Sequence, residues 1–129
     1  MYKGSCLCGA VRFEVAGDLT DPDGCHCTKC RKTSGHFFVS CDVPQDAVTI
    51  YGGDALRWYA SSPKVNRGFC SLCGSALFFD PPHLDWIAIA MGAFDGPTGV
   101  TISKHIFTAD KGDYYDIADG LPQEPYPPG

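Results

Sequence analysis

The 129-residue chain lacks any run of the ~20 apolar residues needed to cross a bilayer, and its opening, Met1-Tyr2-Lys3-Gly4-Ser5-Cys6, lacks the apolar stretch of an export signal. These absences argue against a helical membrane protein, and the expectation is a soluble, cytoplasmic protein with no membrane partner. Positive charge is also short: 10 Lys and Arg stand against 15 Asp and Glu, a net charge of −5, so the clustered basic surface that displaces counterions from nucleic acid is missing. This argues against sequence-independent nucleic-acid binding, and no nucleic-acid partner is expected. No long helical period and no internal repeat is visible, which removes coiled coils and solenoids. Glycine and proline are plentiful instead, 15 and 10, in a chain long enough for one domain, so the chain is turn-dense but foldable.

Eight cysteines carry most of the information. Seven fall in three tight groups, Cys6-x-Cys8, Cys25-x-Cys27-x-x-Cys30 and Cys70-x-x-Cys73. Thiols so close in sequence converge readily on one metal ion, whereas a disulfide between such neighbours is strained and calls for an oxidising compartment. Gly9 follows Cys8 and Gly74 follows Cys73. A turn that wraps backbone amides around a sulfur needs a residue with positive φ, and glycine supplies it without penalty. This pairs Cys6, Cys8, Cys70 and Cys73 in one closed four-thiolate site. Tetrahedral sulfur suits zinc, with iron as the alternative, and the role of such a site is structural.

The middle group has three thiols and no such glycine, so a metal held by Cys25, Cys27 and Cys30 keeps one open position, as catalytic sites do. His26 is a candidate fourth ligand, but a residue between two ligands tends to point the other way. Cys41 is left over and reads as a packing residue. From Cys27 to His36 there are three cations, Lys29, Arg31 and Lys32, and no acid. They suggest an anionic ligand, the alternative being a solvated loop that offsets the thiolates. Thr28 to Gly35 reads as one or two helical turns stopped by Gly35, with the amino end favouring ionised Cys25 and Cys27.

Elsewhere the pattern is that of strands. Val11, Phe13 and Val15 alternate with Arg12 and Glu14 across 10–16, and similar runs span 36–41, 47–51, 55–59, 75–79, 85–91 and 104–108. Gly52-Gly53-Asp54 reads as a tight hairpin turn between two of them. The expected fold is all-β, two small sheets pinned by zinc over residues 1–120, followed by a proline-rich tail at 121–129 that lies extended or frays.

Four segments together resemble the glutathione-dependent formaldehyde-activating enzyme family, whose zinc domain is shared with a centromere protein: Gly4-Ser5-Cys6-Leu7-Cys8-Gly9-Ala10-Val11; Cys25-His26-Cys27-Thr28-Lys29-Cys30-Arg31-Lys32 with Ser34-Gly35; Phe69-Cys70-Ser71-Leu72-Cys73-Gly74-Ser75; and Gly92-Ala93-Phe94-Asp95. The resemblance implies an Mss4-like β-tent, a structural zinc on Cys6, Cys8, Cys70 and Cys73, and a catalytic zinc on Cys25, Cys27 and Cys30. It implies a carbon–sulfur lyase acting on thiol–aldehyde adducts such as S-(hydroxymethyl)glutathione, with a small thiol and an aldehyde as partners. Arg31 and Lys32, and after them Arg67, are the candidates to hold substrate carboxylates. His36 and His105 are candidate proton carriers. A non-catalytic zinc interaction module and a thiol redox or zinc-handling protein are the alternatives.

Overall fold

The computed structural model describes residues 1–127, which form eleven strands and one α-helix in two sheets. Pro128 and Gly129 of the expected tail lie outside the described residues. The smaller sheet is antiparallel and takes β1 (Tyr2–Ser5), β2 (Arg12–Val15) and β5 (Val48–Tyr51), with β2 in the centre. The larger sheet contains β3 (Asp23–Cys25), β4 (Phe38–Pro44), β6 (Leu56–Ser62), β7 (Val65–Cys70), β8 (Ala76–Asp80), β9 (Trp86–Ala90), β10 (Lys104–Ile106) and β11 (Gln123–Glu124). Its order is β11-β10-β3-β4-β9-β8-β7-β6, and only the β10 pairings with β3 and β11 are parallel. The mostly β, two-sheet architecture expected from the strand pattern is present, with sheets of unequal size. No helix among the described residues is long and apolar enough to cross a membrane.

The alternation at 11–15 explains how the sheets meet. Val11, Phe13 and Val15 are fully buried, and the Phe13 ring stands edge-on to Phe78 of β8 and to Phe94, at 5.4 and 5.5 Å. Each large side chain so buried contributes roughly 1.5–3 kcal/mol. Cys41 is buried in the same core, as a packing residue should be, and burial pushes its thiol up to about 11.

One expectation is corrected here. Gly52-Gly53-Asp54 does not close a hairpin, because β5 pairs with β2 and β6 pairs with β7; the turn carries the chain from one sheet to the other. Within the tail, Gln123 and Glu124 run extended and pair with His105 and Ile106, as the first of its two alternatives has it.

The helix α1 (Thr28–Ser34) starts and stops where its sequence dictates. Cys27 is its N-cap, with Sγ accepting the Cys30 N–H at 3.4 Å, and Gly35 ends it in the left-handed conformation at φ 86°.

Candidate metal centres

The Cys6–Cys8 and Cys70–Cys73 turns are built alike. Gly9 and Gly74 have φ of 80° and 78°; the Cys6 N–H donates to Val11 O and the Cys70 N–H to Ser75 O, both at 3.0 Å. The amide that the turn was expected to aim at sulfur is that of Val11, 3.3 Å from Cys6 Sγ. The two turns, far apart in sequence, bring four sulfurs within 4.8 Å of one another. Cys6 and Cys8 Sγ are 3.6 Å apart, and Cys8 and Cys70 Sγ 3.8 Å. A tetrahedron with metal–sulfur arms of about 2.3 Å has edges of about 3.8 Å, so this donor set fits one soft, four-coordinate ion. Among the described residues, this cluster and one other are the groups able to hold a metal.

The other is Cys25, Cys27 and Cys30, whose sulfurs also converge within 4.8 Å. Cys25 ends β3, Cys27 caps α1 and Cys30 is buried on its first turn. Hydrogen bonds from the Cys25 and Cys30 thiols, then the amides of Cys30 and Lys29, hold the Cys27 thiol far below the ordinary thiol range. The Cys25 thiol is pushed up by the same two neighbours, Cys27 and Cys30, and by burial. Arg67, on β7, is almost fully buried beside them and donates from Nη2 to Cys30 Sγ at 3.5 Å. Its other donors reach Ser61 Oγ and Thr33 Oγ1, and its guanidinium lies 5.0 Å from the centre of the Phe79 ring.

These three thiols open on a cavity of about 400 Å³. The cavity follows from strand register. Cys25 faces Phe38, Asp42 faces Ala88, Ala88 faces Phe79, and Phe79 faces Arg67, so one side of five neighbouring strands lines it. Trp86, Phe79 and Phe38 give it apolar walls. At the far end Asp23 and Asp42 stand near Lys104; burial raises both carboxyls, Asp42 to about 6, and Asp42 is raised further by Asp23.

The cations at the cavity are Lys29, Arg67 and Lys104. Arg31 and Lys32 lie in the last turn of the helix and do not line it, and the buried Nε of Arg31 has no hydrogen-bond partner. His26 points away from the thiols, as its place between two of them suggested, and burial first, then His105, lowers its pKa to about 4. His105 is equally buried and bonded to His26 and Asp119. His36 is exposed and 3.0 Å from the Tyr114 hydroxyl. Neither of these candidate proton carriers lines the cavity. Lys29 carried a signal in the basic run, whereas Ser40, Trp86 and Phe79 had none beyond membership of strands.

Known proteins resemble the chain over most of its length. A protein of Halomonas elongata described under the glutathione-dependent formaldehyde-activating enzyme name is 31% identical over 127 residues, covering 91% of this chain and 81% of the relative. An uncharacterized lyase of Schizosaccharomyces pombe is 28% identical, covering 92% and 86%. A crystal structure of a Rhodobacter sphaeroides protein superposes with a TM-score of 0.64 at 21% identity, over 78% of this chain and 99% of that one, and shares the fold. The profile of the family described as glutathione-dependent formaldehyde-activating enzyme matches residues 1–110. With that match spanning both cysteine clusters and most of the chain, the protein belongs to the glutathione-dependent formaldehyde-activating enzyme family.

Proposed function

We propose that the protein is a zinc-dependent carbon–sulfur lyase that joins a small thiol to an aldehyde and separates the adduct, with S-(hydroxymethyl)glutathione or a close analogue as substrate. The observation that carries this reading is the placement of three converging thiols, Cys25, Cys27 and Cys30, on the wall of a cavity large enough for a small molecule. The family membership supports the same chemistry. Zinc held by these three thiolates would supply a soft, Lewis-acidic position at which a substrate thiol loses its proton near neutral pH. Cys6, Cys8, Cys70 and Cys73 would hold a second zinc with no position left for substrate.

The chain's own residues do the rest. In the joining direction a bond forms between the thiol sulfur and the carbonyl carbon, and the thiol proton finishes on the former carbonyl oxygen; cleavage is the reverse. Arg67 places positive charge beside Cys30 Sγ, which offsets the charge that three thiolates gather in a half-buried site. Of its five N–H donors three are used within the protein, leaving two for a substrate carboxylate. Lys29 adds a second cation at the cavity wall. Arg31 and Lys32 strengthen the positive field from the same helix, with a smaller effect because they stand outside the lining. The rings of Phe38, Phe79 and Trp86 keep water from the adduct.

The test is exchange spectroscopy. Magnetisation transfer between free glutathione and its formaldehyde adduct should be faster with zinc-loaded protein than without it, and Cys27→Ser, which keeps the closed site, should abolish the excess. No excess over the uncatalysed exchange for glutathione, cysteine or other small thiols, across several aldehydes, would overturn the proposal.

A further inference from the structure

Behind the Cys25–Cys30 turn lies a polar chain that the proposed chemistry does not use. The His26 ring is 1% exposed and stacked on Phe37 at a centroid distance of 4.5 Å and on Tyr115 at 5.6 Å. Its Nδ1 meets the Tyr115 hydroxyl and its Nε2 lies 2.8 Å from His105 Nδ1, while His105 Nε2 lies 2.7 Å from Asp119 Oδ2. With both rings neutral, one assignment of protons satisfies every contact. The Asp119 carboxylate only accepts, so His105 Nε2 carries a proton and its Nδ1 is bare; His26 Nε2–H then donates to it, and the Tyr115 O–H donates to His26 Nδ1.

The backbone is shaped around this chain. His105 faces Gly24 across the β3–β10 pairing, and a Cβ on Gly24 would stand 3.0 Å from Phe37 and 3.2 Å from His105 Nδ1. A side chain there would displace the imidazole. The His26 N–H also donates to Ile106 O at 3.0 Å. Residue 26 is thus held through its amide, both ring nitrogens and its ring stack on Phe37, and it sits between two of the three middle thiols. Any rotation of its backbone moves Cys25 and Cys27 together.

We infer that Tyr115, His26, His105 and Asp119 are positioning residues that fix the Cys25-His26-Cys27 turn in its metal-holding shape, so that the segment from His105 to Asp119 sets the affinity of the middle site. The inference rests on the reading that Cys25, Cys27 and Cys30 hold a metal. Partners that orient metal ligands without touching the metal typically change affinity by roughly 10- to 100-fold when removed. Here the orientation acts through the residue between two ligands rather than through a ligand itself.

Tyr115→Phe deletes one hydroxyl and keeps the ring stack. Asp119→Ala deletes the acceptor, and Asp119→Asn retains an acceptor oxygen. Zinc affinity at the two sites is read by competition with a chromophoric chelator, and the middle site separately by the visible spectrum of the cobalt(II)-loaded protein. The expected result is a fall of roughly 10- to 100-fold in middle-site affinity for Tyr115→Phe and Asp119→Ala, an Asp119→Asn protein close to wild type, and a closed site unchanged in all three. Wild-type affinity at the middle site in both Tyr115→Phe and Asp119→Ala, or equal weakening of both sites, would overturn the inference and leave the proposed lyase intact. A wild-type protein that binds no second ion would overturn the metal reading and the inference with it.

Discussion

Replacing Cys6 or Cys70 by serine probes the joint between the two halves of the chain. Both thiols are buried, and the four-sulfur cluster fastens the turn before β2 to the turn between β7 and β8. A structural zinc of this kind is worth roughly 10–16 kcal/mol of folding free energy, against about 5–15 kcal/mol for the whole net stability of a domain. Loss of even a third of the coupling, roughly 3–5 kcal/mol, removes much of that margin and leaves three sulfurs without their ion. Serine at Cys27 has a different consequence. Its hydroxyl can still accept the Cys30 N–H as an N-cap, so the helix keeps its start while the middle site loses a ligand. Thermal melts by circular dichroism, with metal content measured on the same samples, should find Cys6→Ser and Cys70→Ser unfolded or insoluble and Cys27→Ser folded with one ion. A Cys6→Ser protein that melts within a few degrees of wild type would refute the structural assignment of the four-sulfur site.

Arg67→Met removes a charge-assisted contact to Cys30 worth roughly 1.5–3 kcal/mol, so kcat/KM for thiol–aldehyde exchange should fall about 10- to 150-fold, with partial recovery in Arg67→Lys; unchanged exchange kinetics would refute the role given to the guanidinium. Lys29→Ala should weaken carboxylate-bearing thiols more than Arg31→Ala or Lys32→Ala does, and should flatten the salt dependence of KM, since only Lys29 of the three lines the cavity; the opposite ranking would move the anion site to the end of the helix. A mild chelator should strip the middle ion before the closed one, followed by ready oxidation of Cys25, Cys27 and Cys30, and simultaneous release would contradict the difference in ligand number. Burial, and then Asp23, raises the Asp42 carboxyl from 3.8 to about 6, so the folded protein binds that proton more tightly than the unfolded chain and loses stability as pH rises from about 4 to about 6. Asp42→Asn should therefore match wild type at pH 4 and exceed it at pH 7 by about 1 kcal/mol, a figure reduced for the solvent that reaches the cavity; equal melting temperatures at pH 7 would refute the shift.

Features with local causes were legible in the sequence. A glycine after the second cysteine specifies a positive-φ turn at Gly9 and Gly74 whatever surrounds it, and the glycine stop at Gly35 marks the end of α1. The strand at 10–16 announced itself by alternation because one of its faces is buried. The missed strands carry no such apolar alternation. In β1, Gly4 sits where a Cβ would come within 2.1 Å of Phe13, so the strand depends on the residue least suited to strands by propensity. Asp23-Gly24-Cys25 follows a proline and has the composition of a turn, yet it forms β3 because Gly24 leaves room for Phe37 and His105. In β7 an inward-facing Arg67 breaks the apolar pattern, and its partners Ser61, Thr33 and Cys30 are brought to it only by the fold. Tyr115 and Asp119 sit outside the named helices and strands, with no periodicity to mark them; what distinguishes them is contact with histidines 89 and 14 residues away. The three middle thiols could be read from spacing as a group able to hold a metal, but the cavity beside them is a product of strand register.

X-ray absorption at the zinc edge tests most directly whether the middle thiols hold an ion that accepts a substrate sulfur. With both clusters loaded, four sulfurs at one site and three at the other give an average of about 3.5 sulfur neighbours per zinc, and saturating glutathione should raise it to about 4 as substrate sulfur completes the open position. A value that stays near 3.5 with thiol present, or that already stands at 4 without it, would contradict a thiol-accepting zinc at Cys25, Cys27 and Cys30.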